Sequence, residues 1–494
     1  MYFLMMLGIG IYFSKNNDST EKYFLGGRNF KGWVIGLSLV GTSISSITFL
    51  AYPGDAFKTN WLRFLPNLAL PIAIVFAAYY FLPLLRKQKS ITAYEFLEER
   101  FGPEIRGYAA MAFLIVQLAR ISMILYLISL VIQTISGLSA HHSILIAGVF
   151  VAAYTILGGI EAVIWTDVIQ TFVLIGGGLL CIFTIVSLVP GGLTEIINIA
   201  WSANKLGVGE VTSAGFAPAN WGIDLSRKTA TMMIFIGLIS WLTEYSSNQN
   251  TVQRFCASKS EFEARKAMFI CAIVSIPTWA FFMFLGTGLW VFFQHHPAEL
   301  AINILAGNNP AEEILPYFIL HYLPSGIVGL VVAAAIAAAM SSLDSSINSI
   351  ATVSTHDIYR RFLMKNKADS HYLKFARAVS TITGILMIGG ALYLLETTTT
   401  TLQDTATILT AVLAGGLLTI YLIGFFSSRC STIHILIGIL ATTTFTLWAV
   451  IWSGSATNYP FDLYYTGLLG NIVMFLAAYG SSYLLKPTTN LRTK

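Results

Sequence analysis

The sequence predicts an all-α polytopic membrane protein with about 13 transmembrane helices, and three observations support that prediction. The chain has 494 residues, of which 55% are hydrophobic and only 11% are charged, whereas roughly a quarter of residues are charged in soluble domains. Uncharged apolar runs long enough to cross a bilayer recur along the whole chain. The polar stretches between these runs are short, so a large soluble domain has no room.

The apolar runs can be placed in chain order. The predicted spans lie near 1–14, 32–57, 61–85, 106–136, 143–160, 162–190, 229–252, 267–294, 326–352, 372–396, 403–427, 431–453 and 462–485. The first is too short to cross a bilayer alone, and it lacks the basic flank and cleavage site of a signal peptide. The charged stretches 86–105, 253–266 and 356–377 are expected to be solvated loops between spans.

The distribution of basic residues predicts the orientation of the chain. One set of loops holds 23 of the 29 Lys and Arg residues, and the opposite set holds five. Because cytoplasmic loops are enriched in Lys and Arg, the N-terminus is expected outside and the C-terminus in the cytoplasm. The remaining basic residue, Arg120, falls in the middle of a span, where an arginine is costly unless it faces a polar cavity or a partner. The net charge of +5 is scattered over short loops and gives no reason to expect nucleic acid as a partner.

Two spans are interrupted by polar residues at matching positions in the two halves of the chain. The span at 32–57 contains a Ser- and Thr-rich stretch at 41–48, followed by Pro53 and Gly54. The span at 229–252 ends in a polar run over 244–250. Two broken helices at corresponding positions indicate a transporter built from inverted repeats, with the substrate bound at the breaks. The alternative is that the small polar residues only permit close helix packing.

A third polar span carries hydroxyl groups along one helical face. Ala338, Ser341, Ser342 and Ser345 are spaced so that they share this face, and Asp344 lies beside it. Hard cations such as Na⁺ prefer oxygen ligands, which hydroxyls, carboxylates and free backbone carbonyls supply. The alternative is a stripe of small residues that serves packing. The acid and the matching helix breaks favour a Na⁺ site.

An acidic residue also lies inside the span at 162–190. Asp167 follows the turn at Gly158 and Gly159, one to two helical turns into the span. It is either a loop charge that reaches the surface or part of a cation site with the hydroxyl face. No nucleophile, histidine or glycine-rich phosphate loop accompanies it, so an enzyme is not expected.

These elements together resemble the sodium:solute symporter family, which contains sodium/glucose, sodium/proline and sodium/sialic acid cotransporters. The resemblance rests on the segments 23–28, 94–102, 158–170 and 248–254 and on the serine-rich span. It implies a leucine-transporter-like fold made of two inverted five-helix repeats with flanking helices. The repeats would cover 32–190 and 229–427, preceded by a partial helix and cytoplasmic loop at 1–31 and followed by helices and a short tail at 431–494.

The resemblance further implies a Na⁺ site and a substrate site. The Na⁺ would be bound by the carbonyls of Gly41, Ile44 and Ala338 and by the hydroxyls of Ser341 and Ser342. Within the family the chain is most similar to the bacterial sialic acid branch. That likeness implies substrate contacts from Ser43, Ser45, Thr48, Asn67 and Arg120.

The same branch implies a second cation site, formed here by Asp167, Ser341, Asp344 and Ser345. Asp344 stands where the branch has a serine, which puts the occupancy of this site in question. Leu417 stands where the family usually has a proline, and Arg63 near the site mouth is not expected in the sialic acid branch.

The expected function is therefore a secondary active symporter that imports a small anionic sugar, such as N-acetylneuraminate, by alternating access with Na⁺ as the coupling ion. A neutral sugar or another carboxylate is the alternative substrate. A membrane sensor or a channel is disfavoured because the sequence has no signalling domain or pore loop. The expected location is the bacterial cytoplasmic (inner) membrane, with Na⁺, the substrate and the lipid bilayer as the only partners and no organic cofactor, nucleic acid or obligatory protein partner.

Overall fold

Helices make up almost all of the secondary structure in the computed structural model, which describes residues 2–15, 18–87, 90–212, 215–397, 415–453 and 461–485. The α-helices are α1 (Tyr2–Ser14), α2 (Thr20–Leu25), α3 (Gly32–Ser43), α4 (Ser46–Lys58), α5 (Leu70–Phe76), α6 (Leu82–Lys87), α7 (Glu95–Phe101), α8 (Pro103–Ser136), α9 (Ala140–Leu188), α10 (Gly192–Ser202), α11 (Ala230–Ser247), α12 (Gln249–Ala257), α13 (Glu261–His295), α14 (Glu299–Ala306), α15 (Ile314–Tyr322), α16 (Ser325–Val353), α17 (Asp369–Thr397), α18 (Leu417–Phe426), α19 (Thr432–Ser453) and α20 (Thr466–Leu484).

Shorter elements connect or extend these helices. The 3₁₀ segments are Gly26–Arg28, Trp61–Ala69, Ala311–Glu313 and Leu463–Tyr465, and the π-helical segments are Ala77–Phe81 and Ser354–Leu363. Strands β1 (Gly209–Thr212) and β2 (Gly215–Pro218) form an antiparallel hairpin.

In the described part of the chain, eight helices are long and apolar enough to cross a membrane, and the bent pair α3–α4 adds a ninth. The predicted count of about 13 is not confirmed. One reason is that the two spans predicted at 143–160 and 162–190 are joined in one 49-residue element, α9. Those two spans meet at Gly159, whose φ of 59° and ψ of −159° interrupt the helix. Most of the predicted span at 403–427 lies outside the described residues.

Both predicted helix breaks are confirmed. The first broken helix consists of α3 and α4, which are bent by 52°; its break includes Ile44, which has extended backbone angles of −100° and 93°. The second broken helix consists of α11 and α12, and Asn248 between them is extended at −79° and 116°. Each break frees backbone groups from helical hydrogen bonding, as ion and substrate sites in transporters require.

The serine-rich helix α16 lies at the centre of the molecule. Every residue from Ala334 to Val353 is buried, and its most extensive packing is against α9. This close approach depends on Gly177 of α9, because a Cβ atom there would lie 2.3 Å from Cβ of Ala334. Small residues permit such contacts between membrane helices. Gly177 is therefore a packing residue.

The expectation of a solvated loop over 253–266 is wrong at its start. Gln253 and Arg254 belong to α12, and both are fully buried. Their polar side chains are tolerated there because each finds hydrogen-bond partners within the protein. Arg254 is therefore not one of the solvated loop charges that the orientation count assumed.

Candidate functional site

The first predicted cation site unites the break of α3–α4 with the serine-rich helix. Ser341 Oγ donates to the carbonyl oxygen of Gly41 at 2.9 Å and lies 3.2 Å from that of Ala338. Ser342 Oγ is buried and has no hydrogen-bond partner among the described residues. Ile44 ends the helical part of α3 with extended backbone. The donor set is carbonyl and hydroxyl oxygen, which fits Na⁺.

Glycine at position 41 is required by the approach of α3 to α9. A Cβ atom there would lie 2.9 Å from Thr171 Oγ1 and 3.1 Å from the carbonyl oxygen of Asp167. Thr171 Oγ1 donates to the carbonyl of Asp167 at 2.8 Å and also lies 3.1 Å from that of Leu37. The first broken helix is thus held directly against the helix that carries Asp167.

The second predicted cation site contains a buried carboxylate with one free oxygen. Asp167 is fully buried. Its Oδ2 accepts hydrogen bonds from Ser38 Oγ at 2.6 Å and from Arg254 Nη2 at 2.7 Å. Its Oδ1 has no hydrogen-bond partner in the part of the chain that the structure describes.

Asp344 lies beside this group, also fully buried. Its Oδ2 accepts a hydrogen bond from the Tyr154 hydroxyl at 2.7 Å, and its Oδ1 accepts one from the Ser345 backbone N–H at 2.6 Å. Ser345 Oγ donates to the carbonyl oxygen of Ser341 at 2.6 Å, which connects the two candidate cation positions. Hydrogen bonds therefore link Gly41, Ser341, Ser345, Arg254 and Asp167 in one buried polar layer, and Asp344 joins it through Ser345.

Sequence reasoning missed three residues of this layer: Ser38, Tyr154 and Arg254. Tyr154 lies within an apolar run and Ser38 is a single hydroxyl in a span, so neither gives a distinctive pattern. A signal for Arg254 does exist. Asn250 and Arg254 are four residues apart and therefore share one face of a helix. This spacing of polar residues indicates a helix at 250–254 rather than a solvated loop.

Arg120, the predicted substrate arginine, is half-buried on α8. It makes no hydrogen bond or ion pair with any residue that the structure describes. It lines a cavity of about 860 Å³ together with Gln117, Glu244 and Asn248. Glu244 and Asn248 belong to the second broken helix and its break, so Arg120 lines the same cavity as that break.

The other predicted substrate residues do not line this cavity. Ser45 and Thr48 are buried near the break of α3–α4. Ser43 Oγ lies 4.0 Å from the sulfur of Cys271, and Asn67 Nδ2 donates to the Tyr52 hydroxyl at 2.9 Å. The structure thus places Arg120 with the second broken helix, apart from the four candidates near the first.

Two other residues that depart from the family pattern, Leu417 and Arg63, can also be located in the structure. Leu417 lines the cavity that contains Arg120. Arg63 forms an ion pair with Asp55, with 2.5 Å between Nε and Oδ2. Arg63 is therefore already paired with a carboxylate of the protein.

Comparison with known proteins places this architecture in a family. The chain is 31% identical to a sodium/sialic acid symporter from Proteus mirabilis strain HI4320 over 99% of its length and 95% of that protein. It is 27% identical to a sodium/glucose cotransporter from Vibrio parahaemolyticus over 90% of its length and 83% of that protein. The solved structure of a Na⁺-coupled sialic acid symporter in a substrate-bound outward-open state matches with a TM-score of 0.87 at 29% identity, covering 98% of this chain and 97% of that one.

The leucine-transporter-like fold predicted from the sequence is confirmed by these likenesses. The family's proteins are transporters rather than enzymes, and the apolar helices agree with a multi-pass membrane protein. The sodium:solute symporter model matches residues 23–441. This chain therefore belongs to the sodium:solute symporter family.

Proposed function

We propose that the chain imports an anionic sugar of the sialic acid class, driven by Na⁺ and by alternating access to the two sides of the membrane. The observation that carries the proposal is Arg120, a half-buried arginine on a membrane helix with no protein partner among the described residues. An arginine at such depth is costly unless a counter-charge or a polar cavity receives it. A substrate carboxylate would supply that charge through two parallel hydrogen bonds.

The permanent salt bridge that would make Arg120 purely structural is not supported. Glu244 lines the same cavity. Its two carboxylate oxygens accept hydrogen bonds from Asn248 Nδ2 at 2.7 Å and Thr251 Oγ1 at 2.6 Å. Glu244 therefore stabilises the break of its own helix, and Arg120 remains available to a ligand.

Two Na⁺ positions support the coupling. The first would be formed by Gly41, Ile44, Ala338, Ser341 and Ser342, where the partnerless Ser342 Oγ needs a cation or a donor. A cation there would let Ser341 Oγ turn from a hydrogen-bond donor into a ligand. Because this position includes the break of α3–α4, its occupancy would fix the shape of that break.

The second position would be formed by Asp167, Ser341, Asp344 and Ser345. The cluster holds two carboxylates and one guanidinium, that of Arg254. When all three are ionised, the cluster has an excess of one negative charge, which one monovalent cation would balance. Asp167 Oδ1, which has no hydrogen-bond partner among the described residues, is available as a ligand.

The orientation and the repeat boundaries belong to the same proposal. The excess of basic residues predicts that the N-terminus is outside and the C-terminus is in the cytoplasm of a bacterium, across its inner membrane. The repeats would span 32–190 and 229–427. In that arrangement α3 and α12 are the cytoplasmic halves of the two broken helices.

A neutral sugar is the second candidate substrate. Gln117 and Asn248 line the cavity with side-chain amides, which can bind sugar hydroxyls. The similarity to a sodium/glucose cotransporter from Vibrio parahaemolyticus favours this candidate. A neutral sugar would, however, leave Arg120 without a counter-charge.

The experiment that tests the proposal is uptake into proteoliposomes with NaCl or choline chloride outside. The substrates are N-acetylneuraminate, its carboxyl-amide analogue, glucose and a short monocarboxylate. We expect Na⁺-dependent uptake of the acid and not of its amide. Equal uptake of the acid and its amide, or a preference for glucose, would contradict an acidic sugar as the substrate and favour a neutral one. Uptake that is the same in choline would overturn the coupling.

A further inference from the structure

Arg254 has a position that its place in the sequence did not suggest. Its guanidinium makes hydrogen bonds with four different helices. Nε lies 2.8 Å from Ser38 Oγ on α3, and Nη1 donates to the Asn250 carbonyl of its own helix at 2.6 Å. Nη2 donates to Asp167 Oδ2 on α9 at 2.7 Å and to Ser345 Oγ on α16. Arg254 therefore joins α3 and α12, one half of each broken helix, to the two long helices that carry the acidic residues.

Arg254 contacts only one of the two oxygens of the Asp167 carboxylate. Arg254 and Ser38 use Oδ2, and Oδ1 is left without a partner among the described residues. The two hydrogen bonds to Oδ2, one from Arg254 and one from Ser38, restrain the rotation of the Asp167 side chain. Because Arg254 also contacts Ser345 Oγ, it ties the restrained carboxylate to the serine-rich helix α16.

We propose that Arg254 is a positioning residue for the second Na⁺ site, which it orients through Asp167, and that it makes this site depend on the closed arrangement of α3 and α12. The inference rests on the proposed function, because it takes the second cation position from there. When both carboxylates are ionised, the cluster keeps one negative charge in excess with Arg254 counted, so Arg254 does not replace the ion.

The same contacts couple the ion to movement. If α12 moves away from α9 and α16 when the cytoplasmic side opens, Arg254 moves with it and its bonds to Asp167 and Ser345 are lost. Asp167 is then free to rotate, and the second site loses its fixed ligand. The second Na⁺ is thus released when α12 separates, which ties ion release to opening.

The test is Na⁺ binding to the purified protein. Binding is measured as the rise in melting temperature with increasing NaCl, and choline chloride keeps the ionic strength constant. Arg254→Lys keeps the charge but cannot make the same set of bonds. Outer-sphere partners of a metal ligand typically contribute 10- to 100-fold to affinity. We therefore expect about 10- to 100-fold weaker binding of the second Na⁺, and a steepness of the Na⁺ dependence that falls from about two to about one.

Arg265→Lys is the matched control, because Arg265 lies on the neighbouring helix α13 and pairs with Glu261 at a partly exposed position. A double-mutant cycle separates positioning from general stability. Arg254→Lys should add little to the loss caused by Asp167→Asn, and should add fully to the loss caused by Ser342→Ala. Unliganded melting temperatures in choline report whether each variant folds. If Arg254→Lys does not fold, Ser38→Ala, which removes the other Oδ2 donor, is measured in the same cycle.

The outcomes distinguish this inference from the proposed function. Wild-type Na⁺ affinity and steepness in Arg254→Lys, or full additivity with Asp167→Asn, would overturn the positioning role alone. No stabilisation of the wild type by Na⁺ would overturn the Na⁺ sites themselves.

Discussion

At the scale of single residues, two buried oxygen atoms mark the candidate ion positions. Ser342 Oγ and Asp167 Oδ1 both lack hydrogen-bond partners among the described residues. Folded proteins rarely leave buried polar atoms unsatisfied, because each costs about 1–3 kcal/mol. Other buried side-chain atoms also lack a hydrogen-bond partner among the described residues, and it is the coincidence of these two with the predicted ion positions that supports cation binding there.

Removal of the Ser342 hydroxyl tests the first position. We expect Ser342→Ala to weaken apparent Na⁺ affinity by about 5- to 150-fold, which corresponds to about 1–3 kcal/mol for one lost polar partner in a buried site. Substrate affinity at saturating Na⁺ should change far less. Thr352→Val is the matched control on the same helical stretch, since the Thr352 hydroxyl bonds only to the carbonyl of Asn348 among the described residues. Wild-type Na⁺ dependence in Ser342→Ala would rule out the ion role of this hydroxyl.

Arg120 is the residue that discriminates between substrates. We expect Arg120→Lys to weaken binding of N-acetylneuraminate by about 30- to 5,000-fold, because an ammonium cannot reproduce the two-pronged contact whose loss costs about 2–5 kcal/mol. The measurement is equilibrium binding of the acid and of its carboxyl-amide to purified protein. The control is Arg63→Lys, since Arg63 is paired with Asp55. Equal binding of the acid by the wild type and Arg120→Lys would contradict a carboxylate contact.

At the scale of helices, the packing of α9 against α16 holds the acidic and hydroxyl residues at a fixed separation. This contact depends on the absence of a side chain at Gly177. At the neighbouring Gly176, by contrast, a Cβ atom would have no atom of the described residues within 4 Å. Two adjacent glycines in one helix therefore have different roles.

The pair provides a matched test. We expect Gly177→Ala to lower the free energy of unfolding by about 1–3 kcal/mol, because the helices must separate to admit the methyl group. We expect Gly176→Ala to be neutral or to stabilise by up to about 1 kcal/mol, because alanine is the better helix former. Thermal melting of both variants in the same detergent measures the difference. Equal melting temperatures would show that the contact between α9 and α16 adjusts without cost.

At the scale of the whole molecule, the number of ions determines whether transport is electrogenic. If two Na⁺ ions accompany one carboxylate, each cycle moves one net positive charge inward. An inside-negative potential of 100 mV then contributes about 2.3 kcal/mol, or about 50-fold in accumulation. We expect uptake of the anionic sugar to rise when valinomycin sets an inside-negative K⁺ diffusion potential. Equal K⁺ on both sides is the control. Uptake that does not respond to the potential would leave one Na⁺ per substrate and remove the second site from the cycle.

The sequence by itself determined the features that depend on local composition. Apolar runs located most of the described membrane helices, because hydrophobicity over one span length is a local property. The breaks at Ile44 and Asn248 were found because residues that compete with helical hydrogen bonding cluster around them. The hydroxyl face of α16 followed from helical spacing alone. The family resemblance supplied the members of both ion positions, and the structure connects several of them by hydrogen bonds.

Only the tertiary structure decided how charges pair. Arg254 contacts Asp167 across 87 residues of sequence, and Tyr154 contacts Asp344 across 190. Such pairs leave no periodic signal, because any buried donor can satisfy any acceptor that the fold brings within reach. The structure also separated Arg120 from the residues at the first helix break. Which polar side chains meet depends on how the two repeats pack, and no single span contains that information.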